Sequence, residues 1–364
     1  MSDESMTRLS ASRIKTAESC SWLYWCKYKL KLPDASNDGA SRGTICHLIL
    51  ELLCLPSRKK YYNKIIKSNT IFCVPSVSRL VNIWAKRLEV SDPENMELID
   101  FMTVNGLRYD YFGQLSGKVD KAFSEKDFHI IVKDEDRGIK YRINGFIDKL
   151  FLYKNKKLAI IRDFKTSKKV FEGKEIDDNL QDLIYSLAVK HLYPDYSTRQ
   201  SEFIFLKFDL EPDLLGSDGK GVLKMQPLSN EELEGFEYQL TDWQNYIDDF
   251  DEESAHSDFA CDKYGGQFPP SEAGFCGKLQ CGFATYPGQL KKDGSVMWHC
   301  PFKFSFDYLA LKNKDGIIKK TCKIEDKEEL LLSQEEGDYI EELSYDGCPK
   351  HTQTSSNESD EFDL

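Results

Sequence analysis

Two carboxylates and one lysine lie close together in the segment from residue 144 to residue 167. Asp148 ends one predicted strand, and Asp163 and Lys165 lie at the end of the next. If these strands are hairpin neighbours, both carboxylates and the ammonium group meet at one edge of a sheet. Paired carboxylate oxygens suit a hard cation such as Mg²⁺ or Mn²⁺, and a neighbouring lysine can polarise a water for attack on a phosphodiester. The alternative is an ordinary hairpin whose solvent-facing ends carry charges.

Two pairs of side chains on predicted helices can complete such a site. His47 and Glu51 lie four residues apart, so both project from one face of a helix. Gln181 and Tyr185 have the same spacing on the helix that follows the Asp163 strand. Taken alone, a histidine in this setting is more often a core residue than a ligand, and a Gln–Tyr pair carries no information. The hypothesis therefore depends on the combination.

In this order, the segments resemble the motifs of the RecB-like nucleases of the PD-(D/E)XK, restriction-endonuclease-like superfamily. The matching segments are the GxxxH helix at Gly43–His47, the strand end at Gly145–Asp148, the DFKT segment at Asp163–Thr166 and the QxxxY helix at Gln181–Tyr185. The resemblance covers roughly residues 10–210. It implies an α/β fold with a restriction-endonuclease-like core, in which helices flank a mixed central sheet.

The resemblance also gives the matching residues expected roles. The implied ligands of Mg²⁺ or Mn²⁺ are His47, Asp148, Asp163 and the carbonyl oxygen of Phe164. Lys165 is expected to activate the attacking water, and Gln181 and Tyr185 to help position DNA. Glu51 either touches a metal-bound water or caps the helix face. Asp120, in the similar segment GKVDKAF, imitates the Asp148 motif and is expected to be an ordinary strand charge.

Eleven cysteines form the second set of residues capable of chemistry. Because no secretion signal precedes them, metal ligation is favoured over a disulfide scaffold. Some RecB-like nucleases, including AddB-type and CRISPR-associated members, hold a 4Fe–4S cluster with one cysteine from the N-terminal helix and three from near the C-terminus. The resemblance implies that the corresponding ligands are Cys20, Cys276, Cys281 and Cys300.

The spacing of the last three cysteines is wider than in those relatives, which keeps a zinc site open. A self-contained tetrahedral Zn²⁺ site would use Cys261, Cys276, Cys281 and Cys300, or His299 in place of one of them. Cys20 discriminates the two alternatives, because the cluster needs it and a local zinc site does not. Buried thiols without metal are the third alternative, and they are expected for Cys46, Cys54 and Cys73.

The elements that must position these residues follow from hydrophobic periodicity and turn signals. Helices are predicted over 10–31, about 40–54, much of 58–104, about 179–192 and about 230–249. Strands are predicted over 107–123, 128–132, 140–153, 157–167 and 202–208. The predicted organisation is an N-terminal helical region at 1–105 with the His47 motif, a nuclease core at 106–253, a Cys-rich metal-binding segment at 254–322 and an acidic tail at 323–364, disordered at its end.

Composition and charge bound the classes of function. Of the 364 residues, 40% are hydrophobic and 30% charged, which excludes collagen-like, wholly disordered and membrane-spanning classes. The net charge is −12, but residues 323–364 contain 14 acidic residues and 3 lysines and so carry −11 of it. The remaining chain is nearly neutral, and DNA is not excluded as a partner. With no secretion signal and no membrane segment, a cytoplasmic location is expected, in the host if the protein is viral.

Together these features predict a metal-dependent DNA nuclease, with an exonuclease acting on single strands or free ends in recombination, repair or replication favoured. The helicase-free length is similar to that of phage-encoded relatives. One alternative is a non-catalytic DNA-binding or adaptor subunit on the nuclease scaffold, and another is a zinc-dependent nucleic-acid-binding protein. The acidic tail is interpreted as a solubilising segment, against the alternatives of competing with DNA or docking on a replication or recombination protein.

Overall fold

A mixed five-stranded sheet with the strand order β1-β2-β3-β4-β5 carries the segments singled out above. Its strands are β1 (Lys121–Asp134), β2 (Ile139–Tyr153), β3 (Leu158–Lys165), β4 (Thr198–Phe205) and β5 (Val222–Lys224). β2 pairs antiparallel with both β1 and β3, whereas β3 and β4 run parallel because a helical crossover separates them. The predicted α/β fold with helices flanking a mixed central sheet is confirmed.

The computed structural model describes residues 6–34, 37–211, 218–262, 281, 288–290, 297 and 299–352. The chain divides into two compact units that each combine distant segments. The first unit contains Met1–Ala11 and Ser36–Asp248, and the second contains Ser12–Ala35 and Asp249–Leu364. Each unit therefore combines segments from more than one of the four regions predicted from the sequence. None of the described helices is long and apolar enough to cross a membrane.

Helices surround the sheet of the first unit. They are α3 (Asp38–Cys54), α4 (Lys59–Ser68), α5 (Pro75–Arg87), α6 (Pro93–Arg108), α7 (Lys174–Asp177), α8 (Leu180–Leu192) and α9 (Asn230–Asp248). The side chain of Asn37 caps α3 by accepting a hydrogen bond from the backbone N–H of Ala40. One apolar cluster joins α3, α5 and α6 to the end of the sheet and includes Ile45, Ile49, Val81, Met102 and Ile204. This core fixes the position of the helix that carries His47.

The second unit contains the N-terminal helical segment and a three-stranded antiparallel sheet with the order β7-β6-β8. Its elements are α1 (Ala11–Ser19), α2 (Ser21–Tyr24), a π-helix (Trp25–Lys29), α10 (Glu252–Ala255), β6 (Phe306–Lys312), β7 (Ile318–Cys322) and β8 (Tyr339–Tyr345), with short helices at Lys327–Leu331 and Pro349–Thr352. The indole N–H of Trp22 donates to the Tyr345 hydroxyl at 2.8 Å, and that hydroxyl donates to the Phe302 carbonyl at 2.8 Å. Residues 12–34 are therefore packed against the segment at 299–352 within this unit.

Two parts of the sequence-based description differ from the structure. The strand predicted over residues 107–123 begins only at Lys121, because α6 continues to Arg108 and the chain then turns at Gly113 and Gly117, both of which have positive φ. The acidic segment is folded up to Thr352, where its described part ends. Some of its carboxylates pair with lysines: Lys319 on β7 lies 2.7 Å from Asp338, an ion pair that a charge count along the chain does not include.

Candidate active site

The antiparallel register of β2 and β3 places the two predicted carboxylates side by side. Lys149 is paired with Arg162, so Asp148 lies opposite Asp163 at the next position. The backbone N–H of Phe164 donates to Oδ2 of Asp148 at 2.7 Å. Gly145 belongs to this arrangement because a Cβ atom there would lie 2.7 Å from the ring of Phe128. The strand ends therefore gather acidic oxygens at one edge of the sheet, as the hairpin hypothesis required.

Helix α3 brings His47 to the same edge. The imidazole Nδ1 lies 3.3 Å from Oδ2 of Asp148. Burial opposes the charged imidazolium, but the hydrogen bond to Asp148 and the nearby carboxylates outweigh it and raise the pKa of His47 to about 9. Gly43, one turn earlier, allows the close approach, because a Cβ atom there would lie 2.9 Å from Oγ1 of Thr166. The two residues of the GxxxH segment thus have separate roles: Gly43 allows the helix to approach the sheet, and His47 contacts Asp148.

Glu125 on β1 joins this site, although sequence reasoning did not single it out. It lies between the pairs Ser124–Lys149 and Lys126–Ile147 and so faces Asp148. Its backbone φ of 46° is in the left-handed region, which is unusual for a non-glycine residue. Residues with such backbone conformations cluster at functional sites. Ligand atoms of His47, Glu125 and Asp148 all lie within 4.8 Å of one another.

Crowded carboxylates at this edge repel one another. Burial, and then the charge of Asp148, raise the pKa of Glu125 to about 7. Burial and Asp148 also raise the pKa of Asp163, against the opposing effect of Lys165. A bound cation would relieve this repulsion, because it favours the charged form of each carboxylate.

Lys165 and the QxxxY helix form one hydrogen-bonded group behind the carboxylates. The Lys165 ammonium lies 2.7 Å from Oδ2 of Asp163 and donates to Oε1 of Gln181 at 2.7 Å. The amide nitrogen of Gln181 donates both to Oδ1 of Asp163 and to the Tyr185 hydroxyl, the latter at 2.9 Å. Gln181 therefore fixes the orientation of the lysine and of a candidate metal ligand at the same time.

The donor atoms fit a hard divalent cation. Among the described residues, no group donates an aligned hydrogen bond to the buried Oδ2 of Asp163, since the nearby ammonium of Lys165 is out of alignment. Such an oxygen is a ready ligand, because a buried carboxylate atom otherwise remains unsatisfied. Several carboxylates and one imidazole suit Mg²⁺ or Mn²⁺, and the imidazole favours Mn²⁺. The carbonyl of Phe164 stays a predicted ligand, since the contact in the structure is made by its N–H.

Glu51 and Asp120, the other two carboxylates considered in the sequence analysis, lie in different surroundings. Glu51 is exposed and lines a cavity together with Glu125. Asp120 lies just before β1, where its carboxylate accepts a hydrogen bond from the backbone N–H of Lys154 at the turn between β2 and β3. The structure thus gives Asp120 a local structural role. Asp120 lies outside the set of candidate metal ligands His47, Glu125, Asp148 and Asp163, which we call the ligand group.

The second unit contains cysteines from segments that lie far apart along the chain. The backbone N–H of Cys300 donates to the carbonyl of Cys281 at 3.0 Å, and the N–H of Cys348 donates to the carbonyl of Lys303 at 3.1 Å. Burial raises the pKa of Cys300 and of Cys348 to about 12, and the charges of Cys20 and Cys348 add to the effect at Cys300. Cys261 donates to the thiol of Cys281, which raises the pKa of Cys261. Cys276, one of the predicted ligands, lies outside the described residues.

None of the cysteines within the described residues forms a disulfide. Cys46 is buried in the first unit as expected, whereas Cys54 and Cys73 are only half-buried there. Cys348 was not singled out from the sequence, because it lies within the acidic segment at 323–364 that was expected to be a tail.

Two comparisons with known proteins bear on the site. The sequence model of the PD-(D/E)XK nuclease superfamily matches residues 8–285. This range contains all the segments that place His47, Asp148, Asp163 and Lys165 together. No curated protein sequence matches the chain.

Proposed function

Because the chain belongs to the PD-(D/E)XK nuclease superfamily, we propose that it is a metal-dependent deoxyribonuclease that acts as an exonuclease. Membership makes it a nuclease-type hydrolase; DNA as substrate and free ends as the point of attack are our proposal. The observation that carries it is the meeting of His47, Asp148, Asp163 and Lys165 at one sheet edge. A scaffold retained only for binding has no need of all four, which argues against a non-catalytic adaptor.

Each side chain has a defined task in the proposed reaction. His47, Glu125, Asp148 and Asp163 would hold the cation. A bound Mg²⁺ or Mn²⁺ supplies an activated water and offsets negative charge on the phosphate. Lys165 is held by Asp163 and Gln181, so its ammonium group is placed to donate a hydrogen bond to the attacking water and to offset negative charge that develops on the phosphate. The water loses its proton to solvent, since an ammonium group cannot accept it.

Basic side chains beside the site are suited to the DNA backbone. Burial and the neighbouring charges of Arg42 and Lys168 lower the pKa of Lys207. Arg42 is buried and donates to Asn95, so exposed Lys168 and half-buried Lys207 are the cations available to DNA. Phosphate groups would relieve the repulsion between them. Tyr185, fixed by Gln181, lies next to Phe128 with ring centroids 5.8 Å apart. We propose that these groups guide a single strand to the ligand group, in a recombination, repair or replication process.

For the second unit we propose a thiolate-bound metal centre, with a 4Fe–4S cluster favoured over Zn²⁺. Cys20, Cys281 and Cys300 are the described residues of the predicted set, and Cys348 is a further neighbouring thiol. Four thiolates within one unit suit either group. A bound centre would stabilise this unit, because it links residues that lie far apart along the chain.

Cleavage of labelled DNA tests the proposed function directly. The protein, purified without oxygen, is incubated with end-labelled linear single-stranded and duplex DNA and with internally labelled circular DNA, in Mg²⁺, Mn²⁺ or EDTA. We expect release of labelled nucleotides from linear DNA in either metal and none in EDTA. Cutting of circular DNA would replace the exonuclease with an endonuclease. DNA binding without cleavage in both metals would support the adaptor alternative. The Asp163→Asn variant is the control for contaminating nucleases.

A further inference from the structure

A cavity of about 440 Å³ lies directly beside the ligand group, within the first unit. Glu125 belongs to both, since it lines the cavity and contributes a ligand atom next to His47 and Asp148. The end of α3, residues 111–112 and strands β1 and β2 form the other walls. Anything held at the ligand group can therefore extend into the cavity.

The cavity walls are mostly aromatic and aliphatic. Leu55, Phe112, Phe123 and Phe151 line it, and Leu55 is 49% exposed although it is a large apolar side chain. On β1, Ala122 is exposed and directly opposite Phe151, so it lies on the same face of the sheet. Flat apolar groups are the ligands that such walls favour.

Polar side chains form the rest of the cavity lining. Lys149 is 2% exposed, and its ammonium group lies 3.3 Å from the carbonyl oxygen of Tyr111 and contacts the thiol of Cys54. The other polar and charged lining residues are Glu51, Ser124, Glu125, Lys126 and Asp127. Since the lysines do not outnumber the carboxylates, the lining has no excess of positive charge for a phosphate and favours an uncharged ring, with its phosphate outside.

We propose that this cavity receives the unpaired base of the nucleotide at the end of a DNA strand, while its phosphate lies at the ligand group. The inference rests on the proposed function and adds to it the part of the substrate that is recognised. The volume lies within the range of about 300–1,000 Å³ that is usual for small-ligand pockets, so one nucleoside can enter. A base must leave its stack to reach the cavity, which costs least at a single-stranded or frayed end.

Two measurements test the cavity, and one of them needs no cleavage. The first is quenching of 2-aminopurine at the end of a single-stranded oligonucleotide, measured in EDTA for the wild type, Ala122→Trp and Lys121→Trp. Tryptophan at exposed position 122 fills the cavity without removing a core residue, whereas Lys121 is also exposed and does not line the cavity. We expect quenching to be lost in Ala122→Trp and kept in Lys121→Trp.

The second measurement compares two substrates on the unaltered protein. Oligonucleotides with an intact or an abasic terminal residue are cleaved in Mn²⁺, and both ends are tested in turn. Since stacking of one base contributes about 1–3 kcal/mol, the abasic end should be processed with a kcat/KM lower by roughly 5- to 150-fold.

The outcomes separate this inference from the proposed function. Equal cleavage of intact and abasic ends, or equal quenching by the two tryptophan variants, would overturn the base site while the nuclease assignment stands. Absence of any DNA cleavage in Mg²⁺ and Mn²⁺ would overturn the proposed function. Under that outcome the quenching difference still decides whether the cavity binds a base.

Discussion

The two units of the chain place their reactive side chains in different ways. In the first unit His47, Glu125, Asp148 and Asp163 lie on a helix and three strands, where the helical repeat and the strand register fix each position. In the second unit Cys300 and Cys348 lie between regular elements, and Cys20 is the residue before α2. The donor atoms differ as well: oxygen and imidazole in one, sulfur in the other. A ligand set carried by regular elements can be predicted from spacing, whereas one carried by loops depends on where tertiary structure places each loop.

The largest expected effect tests the site on regular elements. Asp163→Asn and Lys165→Ala should each lower the cleavage rate by at least about 100-fold, because each removes a group that acts on the reacting phosphate or water. Binding of single-stranded DNA in EDTA should remain, since neither change creates a cavity in the core. Asp136→Asn, an exposed carboxylate at the turn between β1 and β2, is the matched control and should cleave normally. A near-normal rate in either variant would show that the assigned site is wrong.

The thiol region is tested by its metal content. The protein purified without oxygen should contain iron and a broad visible absorption, and Cys20→Ser should lose most of both, because a 4Fe–4S cluster takes four thiolates. Cys73→Ser, a half-buried thiol of the first unit, should retain them. Stoichiometric zinc that survives Cys20→Ser would establish the zinc alternative. Cys348→Ser separates the ligand sets: loss of iron would include Cys348 among the ligands, and full retention would leave the set as predicted from the sequence.

A smaller effect is expected at Glu125, the ligand that sequence reasoning missed. Glu125→Gln should weaken Mn²⁺ binding by about 10- to 100-fold, as removal of groups around metal sites commonly does. Calorimetric titration of the protein with Mn²⁺ measures this without DNA. Unchanged affinity in Glu125→Gln would remove this residue from the ligand group.

The pH dependence of Mn²⁺ binding sharpens this prediction. Glu125 has a pKa raised to about 7 and His47 one raised to about 9, so both hold protons at pH 6 that a cation must displace. Affinity should therefore rise with pH through 7 and continue to rise toward 9. Glu125→Gln should lose the lower step and keep the upper one. In the metal-free protein the stability of the fold changes in the opposite direction to the metal affinity. Because the pKa of Glu125 is raised in the folded state, this residue makes the fold less stable as pH rises between about 4.5 and 7.

The smallest expected effect concerns the approach of α3 to the sheet. Alanine in a helix is favoured over glycine by about 1 kcal/mol, but a Cβ atom at Gly43 would lie 2.9 Å from Oγ1 of Thr166. Gly43→Ala should therefore gain no stability and should lower the cleavage rate several-fold, because it shifts His47. Gly235→Ala in α9 meets nothing within 4 Å and should raise the free energy of unfolding by about 0.5–1 kcal/mol. Equal gains in both variants, measured by urea denaturation, would remove the steric explanation for Gly43.

The sequence determined those parts of the molecule that depend on local spacing. A helical period places His47 and Gly43 on α3, and alternating strands put Asp148 and Asp163 at the ends of neighbouring strands. For the same reason, the bounds predicted for α3, α8, α9, β2 and β3 lie close to the observed ones, whereas β5, β6, β7 and β8 were not predicted. The mixed sheet followed because two hairpin connections and one helical crossover give antiparallel and parallel neighbours.

Tertiary structure decided the rest. Glu125 joins the ligand group through a left-handed backbone conformation within β1, which its neighbours along the chain do not indicate. The loop before Lys121 replaces a predicted strand because Arg162, 1% exposed, donates to the carbonyl of Asp110 and holds the chain there. The acidic strand β8 pairs along its length with β6, where Lys312 lies 2.6 Å from Glu341. In each example the deciding partner is far away along the chain, and local sequence preferences cannot encode which distant residue will be in contact.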